Sequence, residues 1–210
     1  MNRLTAFALL AVGVLVLGVG ALAYRAATAP TAGLGGLSKI DNRTFASMNV
    51  PPAGVTADAA TNTITVSGSG VTLLVEASPL WYPHPSDFFL MYGLANPTLS
   101  VGAGTQVRFL FINMDNETHT FAITTVAPPY SYMPMMEGGM MSGGSMMSSG
   151  SWPLMGPMLS GVSGGSANPV YNDVTLAMTF PAAGTFWYLC LYPGHAADGM
   201  YGETTVQAQA

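Results

Sequence analysis

The stretch F-W-Y-L-C-L-Y-P-G-H-A-A-D-G-M-Y-G, from Phe186 to Gly202, begins as a strand of aromatic and aliphatic residues and runs into a loop carrying Cys190, His195 and Met200. Cys190 is the only cysteine, so it forms no disulfide within the chain and acts through packing or sulfur chemistry. A thiolate, an imidazole and a thioether at C-x4-H-x4-M spacing are the donor types that a mononuclear copper site takes from one loop. Pro193 and Gly194 can turn that loop back toward a bound ion. Such a site needs one more imidazole, and His119 in N-E-T-H-T-F can supply it from far away in sequence.

Working outward, short segments rich in Val, Thr and aromatics alternate with Gly, Pro, Asn and Asp, the punctuation of strands and turns. Strands are expected at 63–66, 71–76, 88–92, 98–101, 106–113, 119–125, 173–180, 185–190 and 203–207. In Gln106–Asn113, Val107, Phe109 and Phe111 fall on one face, with Arg108, Leu110 and Ile112 on the other. No segment between them has a convincing helical period. Many short strands in about 160 residues imply an all-β sandwich or barrel.

The chain has 210 residues, half of them hydrophobic, enough for one substantial core. Only 7% are charged, against about a quarter in ordinary soluble domains. So few titrating groups make stability only weakly acid-dependent and hint at an acidic exterior. Five basic residues, spread singly, form no patch for phosphates, so nucleic acid is excluded as a partner. The ten acidic residues are likewise scattered, which leads us to expect weak electrostatic steering and docking through apolar surface.

Residues 1–24 carry no charge between Arg3 and Arg25. These 21 uncharged residues make a helix of roughly 30 Å, the thickness of a bilayer core. The segment reads as a retained membrane anchor, with a cleaved signal ending near Ala21-Leu22-Ala23 as the competing reading. Either places the remaining chain outside the cytoplasm. Residues 25–45 read as a flexible tether and 46–210 as the folded domain. Residues 130–168 within that domain read as a Met/Gly/Ser-rich insertion, nine of the fifteen methionines lying between Met133 and Met158. That tract fits a flexible insertion, an adaptable docking surface or transient Cu(I) sites.

Both motif regions, G-T-Q-V-R-F-L-F-I-N-M-D-N-E-T-H-T-F and G-T-F-W-Y-L-C-L-Y-P-G-H-A-A-D-G-M-Y-G, resemble the cupredoxins, within them the rusticyanin and sulfocyanin group. The membrane tether and the small-residue tract favour the sulfocyanin side. The resemblance implies a Greek-key sandwich and one type 1 (blue) copper ion cycling between Cu(I) and Cu(II). It implies equatorial ligands His119, Cys190 and His195, axial Met200, and Thr120 bracing the copper loop. It also implies electron transfer in an acidophile's respiratory chain, between membrane complexes such as a terminal oxidase.

Other chemistries fit less well. Three histidines are too few for a multicopper oxidase, and one cysteine too few for a binuclear copper centre. A cysteine hydrolase lacks a helix N-terminus to activate Cys190. Zinc takes Cys/His/His sets, but a methionine donor argues against it. The remaining rival is a copper carrier or storage protein using the Met-rich tract. His84 reads as structural or solvent-facing, and Trp81, Phe186, Trp187 and Tyr188 as core aromatics.

Overall fold

The computed structural model describes residues 33–34, 38–134 and 151–208. Among them are fifteen strands: β1 Gly33–Leu34, β2 Ser38–Asp41, β3 Val55–Asp58, β4 Thr63–Val66, β5 Val71–Ala77, β6 Phe89–Met91, β7 Leu94–Ala95, β8 Thr98–Gly102, β9 Gln106–Asn113, β10 Ala122–Thr124, β11 Leu154–Met155, β12 Ser163–Gly165, β13 Asn168–Thr179, β14 Gly184–Leu189 and β15 Tyr201–Gln207. One short helix, α1 (Asn42–Met48), follows β2.

The strands form two sheets. The first runs β1-β13-β9-β5-β6-β7, with β2 and β12 also paired to β13, and the second runs β11-β10-β14-β15-β8-β4-β3. The chain crosses between the sheets seven times among these strands, after β2, β4, β7, β8, β9, β11 and β13. This produces parallel pairs, β5 with β9 and β8 with both β4 and β15, inside otherwise antiparallel sheets. The result is an all-β sandwich.

Alternation along each strand sends one set of side chains between the sheets. Leu73, Val75, Phe109, Phe111, Leu176 and Met178 from the first sheet meet Ile64, Leu99, Val101, Tyr188 and Val206 from the second. Phe121 sits among Phe89, Phe111 and Tyr188, with ring centroids 5.4, 5.9 and 5.7 Å away. This aromatic cluster shares the inner core with Cys190 and Met200.

The opposite face of the first sheet carries its own layer. Leu74, Leu110, Ile112, Met114 and Tyr171 are covered by Phe45 of α1, which meets Tyr171 edge-on at 6.0 Å. The helix begins at Asp41, whose carboxylate accepts the Thr44 backbone N–H at 2.8 Å. Burying a ring such as Phe45 contributes about 1.5–3 kcal/mol, which fastens seven residues too few to form a helix alone.

These elements correct two expectations. Where it is described, the tether expected over 25–45 is part of the fold: β1 and β2 pair with β13, and α1 docks on the first sheet. Residues 151–168 of the Met/Gly/Ser-rich insertion are integral to the sandwich: β11 extends the second sheet and β12 pairs β13. Gly161 lies so close to the Asn116 carbonyl that any side chain would collide with it, so the tract's small residues there are a packing requirement. The expected membrane span over 1–24 and the tract's methionines before residue 151, Met133 apart, lie outside the described residues. No helix among the described residues is long and apolar enough to cross a membrane.

Candidate metal centre

Antiparallel pairing of β10 with β14 brings the two halves of the site together. Ala122 lies opposite Leu189, so the chain entering β10 (His119, Thr120) runs beside the chain leaving β14 (Cys190). His119 is tied on both backbone atoms to Leu159, with bonds of 3.1 and 2.9 Å. Asn113 closes the loop from the other side, its amide donating to the Glu117 and Leu159 carbonyls at 2.7 and 2.8 Å.

The loop after β14 is wound onto itself. Cys190 N–H donates to the Met200 carbonyl at 3.1 Å, Met200 N–H to the His195 carbonyl at 2.8 Å, and Gly194 N–H to the Tyr132 carbonyl at 2.7 Å. Gly194 has φ +90° and packs against the Tyr132 ring, so the turn before His195 calls for glycine. Cys190, His119 and Met200 are fully buried, and His195 is 6% exposed.

Cys190 Sγ lies 3.9 Å from His119 Nδ1 and 3.7 Å from His195 Nδ1, and the two Nδ1 atoms are 3.1 Å apart. Bond lengths of ~2.0 Å to nitrogen and ~2.3 Å to thiolate around one trigonal ion give edges of roughly 3.5 and 3.7 Å. The triangle therefore has the size of a single first-row metal. Each imidazole turns its other nitrogen toward carboxylates: His119 Nε2 lies 3.0 Å from Asp115 Oδ2, and His195 Nε2 lies 3.5 and 3.6 Å from Asp87 and Glu117 oxygens. With protons on both Nε2 atoms, two Nδ1 lone pairs face each other, an arrangement that calls for a cation between them. Burial pushes the Cys190 thiol up and the His119 imidazolium down; metal coordination deprotonates a buried thiol that water would not. Met200 joins through the backbone bonds that tie it to Cys190 and His195.

Thr120 lies against the cysteine. Its N–H points at Cys190 Sγ from 3.4 Å, and its hydroxyl oxygen accepts the Leu191 N–H at 2.8 Å. His84 is exposed, donates from Nδ1 to the Ser86 carbonyl at 2.8 Å, and packs its ring on Phe88. Trp81 departs from its expected core position: it is 58% exposed on the 78–88 loop. Tyr188 is fully buried, while Phe186 and Trp187 are half-buried.

The sequence reading missed the carboxylates. Asp87, Asp115, Glu117 and Asp198 come from three separate loops and gather at the histidine edge, three of them around a cleft of about 680 Å³. The cations among the described residues, Lys39, Arg43 and Arg108, lie on β2, α1 and the opening of β9. The scatter of acidic residues in sequence is thus undone in space, and weak steering no longer follows. Asp115, four residues before His119, carried no signal because acidic residues near a histidine are common.

No family model matches the chain. Rusticyanin of Acidithiobacillus ferrooxidans (strain ATCC 23270) is 34% identical over 151 residues, covering 70% of this chain and 68% of that protein. A second Acidithiobacillus ferrooxidans rusticyanin is 32% identical over 157 residues, covering 72% of this chain and 86% of its own length. The solved structure of reduced rusticyanin aligns with a TM-score of 0.57 at 27% identity, covering 82% of this chain and all of that one (100%). These relatives are rusticyanins, within the group that the two motif regions resemble. The thioether beside a thiolate and two imidazoles suits copper over zinc, and with these relatives the chain belongs to the rusticyanin family of cupredoxins, holding one type 1 copper ion.

Proposed function

We propose that the protein is a one-electron carrier, shuttling electrons outside the cytoplasm between membrane respiratory complexes such as a terminal oxidase, and that residues 1–24 anchor it to the membrane. The observation that carries this reading is the buried triangle of His119, Cys190 and His195, closed by a loop whose backbone is bonded at every turn. Bound there, held by His119, Cys190, His195 and Met200, copper would supply one-electron chemistry between Cu(I) and Cu(II). The chain's part is to keep the donors still. Cys190 and His119 are held by β14, β10 and Leu159, so little rearrangement accompanies a change of charge.

His195 is the donor nearest solvent and the natural exit for an electron. Tyr132 and Met133, 67% and 43% exposed, flank its loop and offer apolar contact. The carboxylate rim adds a preference for a partner face carrying positive charge.

The test is the absorption and EPR spectrum of the copper-loaded chain. An intense blue thiolate-to-copper band that bleaches on one-electron reduction and returns on oxidation is expected, and Cys190→Ser removes it entirely. A colourless protein holding Cu(I) would instead support the copper-carrier reading, and a blue band surviving in Cys190→Ser would refute the ligand set.

A further inference from the structure

We propose that Asp115 is a positioning residue of the metal centre, its buried carboxylate fixing His119 with the proton on Nε2 and biasing the bound copper toward the oxidised state. This rests on the copper reading above. The starting point is an asymmetry between the two histidines. His195 Nε2 faces Asp87 and Glu117 at 3.5 and 3.6 Å, beyond a good hydrogen bond, and those carboxylates are 30% and 65% exposed. His119 Nε2 meets Asp115 Oδ2 at 3.0 Å, and that carboxylate is only 13% exposed.

Asp115 is itself held in place. Its N–H donates to Asn113 Oδ1 at 3.0 Å, its Oδ1 accepts the Asn116 N–H at 2.6 Å, and its carbonyl accepts the Val162 N–H at 2.8 Å. Oδ2 is left for His119. A carboxylate only accepts, so the shared proton sits on Nε2 and the Nδ1 lone pair points at Cys190 and His195. A negative charge held out of water beside an imidazole makes that imidazole a stronger donor, and its field favours the more positive copper state. The exposed carboxylates on His195 are screened by solvent and do less.

The experiment compares the copper-loaded wild-type chain with Asp115→Asn, Asp115→Ala and Glu117→Gln. The midpoint potential is read by redox titration and copper affinity by chelator competition. Asp115→Asn should stay blue with a raised potential, and Asp115→Ala should weaken copper binding by about 10–100-fold. Glu117→Gln should move the potential less than Asp115→Asn does. Equal potentials in wild type and Asp115→Asn, with wild type blue, overturn the proposal while leaving the copper site intact; a wild type that is not blue overturns the copper reading itself. Should the variants fail to fold, nitrogen NMR of the reduced wild-type protein decides. A slowly exchanging His119 Nε2–H supports the assignment, and a His119 Nε2–H exchanging as fast as that of His195 refutes it.

Discussion

Two of the places where the described residues bury ionisable side chains treat them in opposite ways. At the end of the inner core, His119, Cys190 and His195 turn their donor atoms on one another, and Asp115 and Thr120 hold two of them by hydrogen bonds. On the outer face of the first sheet, Glu76 is also fully buried, yet neither carboxylate oxygen has a hydrogen-bond partner. It sits on the same face of β5 as Leu74, beside Ile112 of β9, in the layer that Phe45 and Tyr171 close. The first place is arranged to hold charge. The second tolerates a carboxyl only in its neutral form, because an unpaired buried charge costs far more than a neutral acid.

That difference makes pH the largest lever on the comparison. Burial raises the Glu76 carboxyl from 4.5 to about 8. The proton is therefore held in the folded chain and lost in the unfolded one between those values. Stability from this group is fully present below pH 4.5 and declines as pH rises toward 8, by about 5 kcal/mol in all. The groups around Glu76 do not offset this: Tyr92 and Tyr171 are neutral there, and Asp173, across Ile112 on the same face, is acidic. Denaturant unfolding at pH 4.5, 6 and 8 should show the decline in wild type and a nearly flat profile in Glu76→Gln. Equal slopes for both would show that the outer layer accommodates the charge.

At the metal end, Thr120→Ala strikes the partnered polar network. It removes the acceptor of the buried Leu191 N–H, and leaving such a donor unsatisfied costs about 1–3 kcal/mol. Thr120→Ser should restore most of it. The loss should be the same at pH 4.5 and pH 8, unlike the Glu76 effect. A parallel shift of the unfolding midpoint with a retained blue band is the expected result.

The smallest effect concerns the rim. Reduction of the oxidised protein by hexaammineruthenium(II), a dication, should slow by about tenfold or less between low and high salt. An anionic reductant should show the opposite trend. Glu117→Gln should shrink the salt dependence, and a rate indifferent to salt would return docking to the apolar contacts of Tyr132 and Met133 alone.

Strands with an apolar core-facing set and a turn at each end were legible from sequence. Thr63–Val66 and Gln106–Asn113 occur with the expected bounds, since each has a core-facing set that only one register satisfies. Val55–Asp58 was not legible because it buries Val55 alone. Helix α1 was missed for a similar reason: within it only Phe45 is buried, and a single apolar residue has no period. Half of the Met/Gly/Ser tract looked structureless because its strands are two and three residues long and are held by their neighbours.

Chemistry carried by neighbours in sequence was determined by the sequence itself. Cys190, His195 and Met200 lie within eleven residues of one another around a Pro-Gly turn, so their donor types and spacing state the kind of metal they suit. Whatever depends on residues far apart was decided by tertiary structure. His119 reaches Cys190 because β10 pairs with β14, and the scattered carboxylates meet because three loops end at the same edge of the sandwich. Nor does any local pattern show that Glu76 is sealed without a partner: a glutamate reads as solvent-facing until a helix and a tyrosine from distant parts of the chain close over it. Spacing is a local property; burial and charge fields are sums over everything packed nearby.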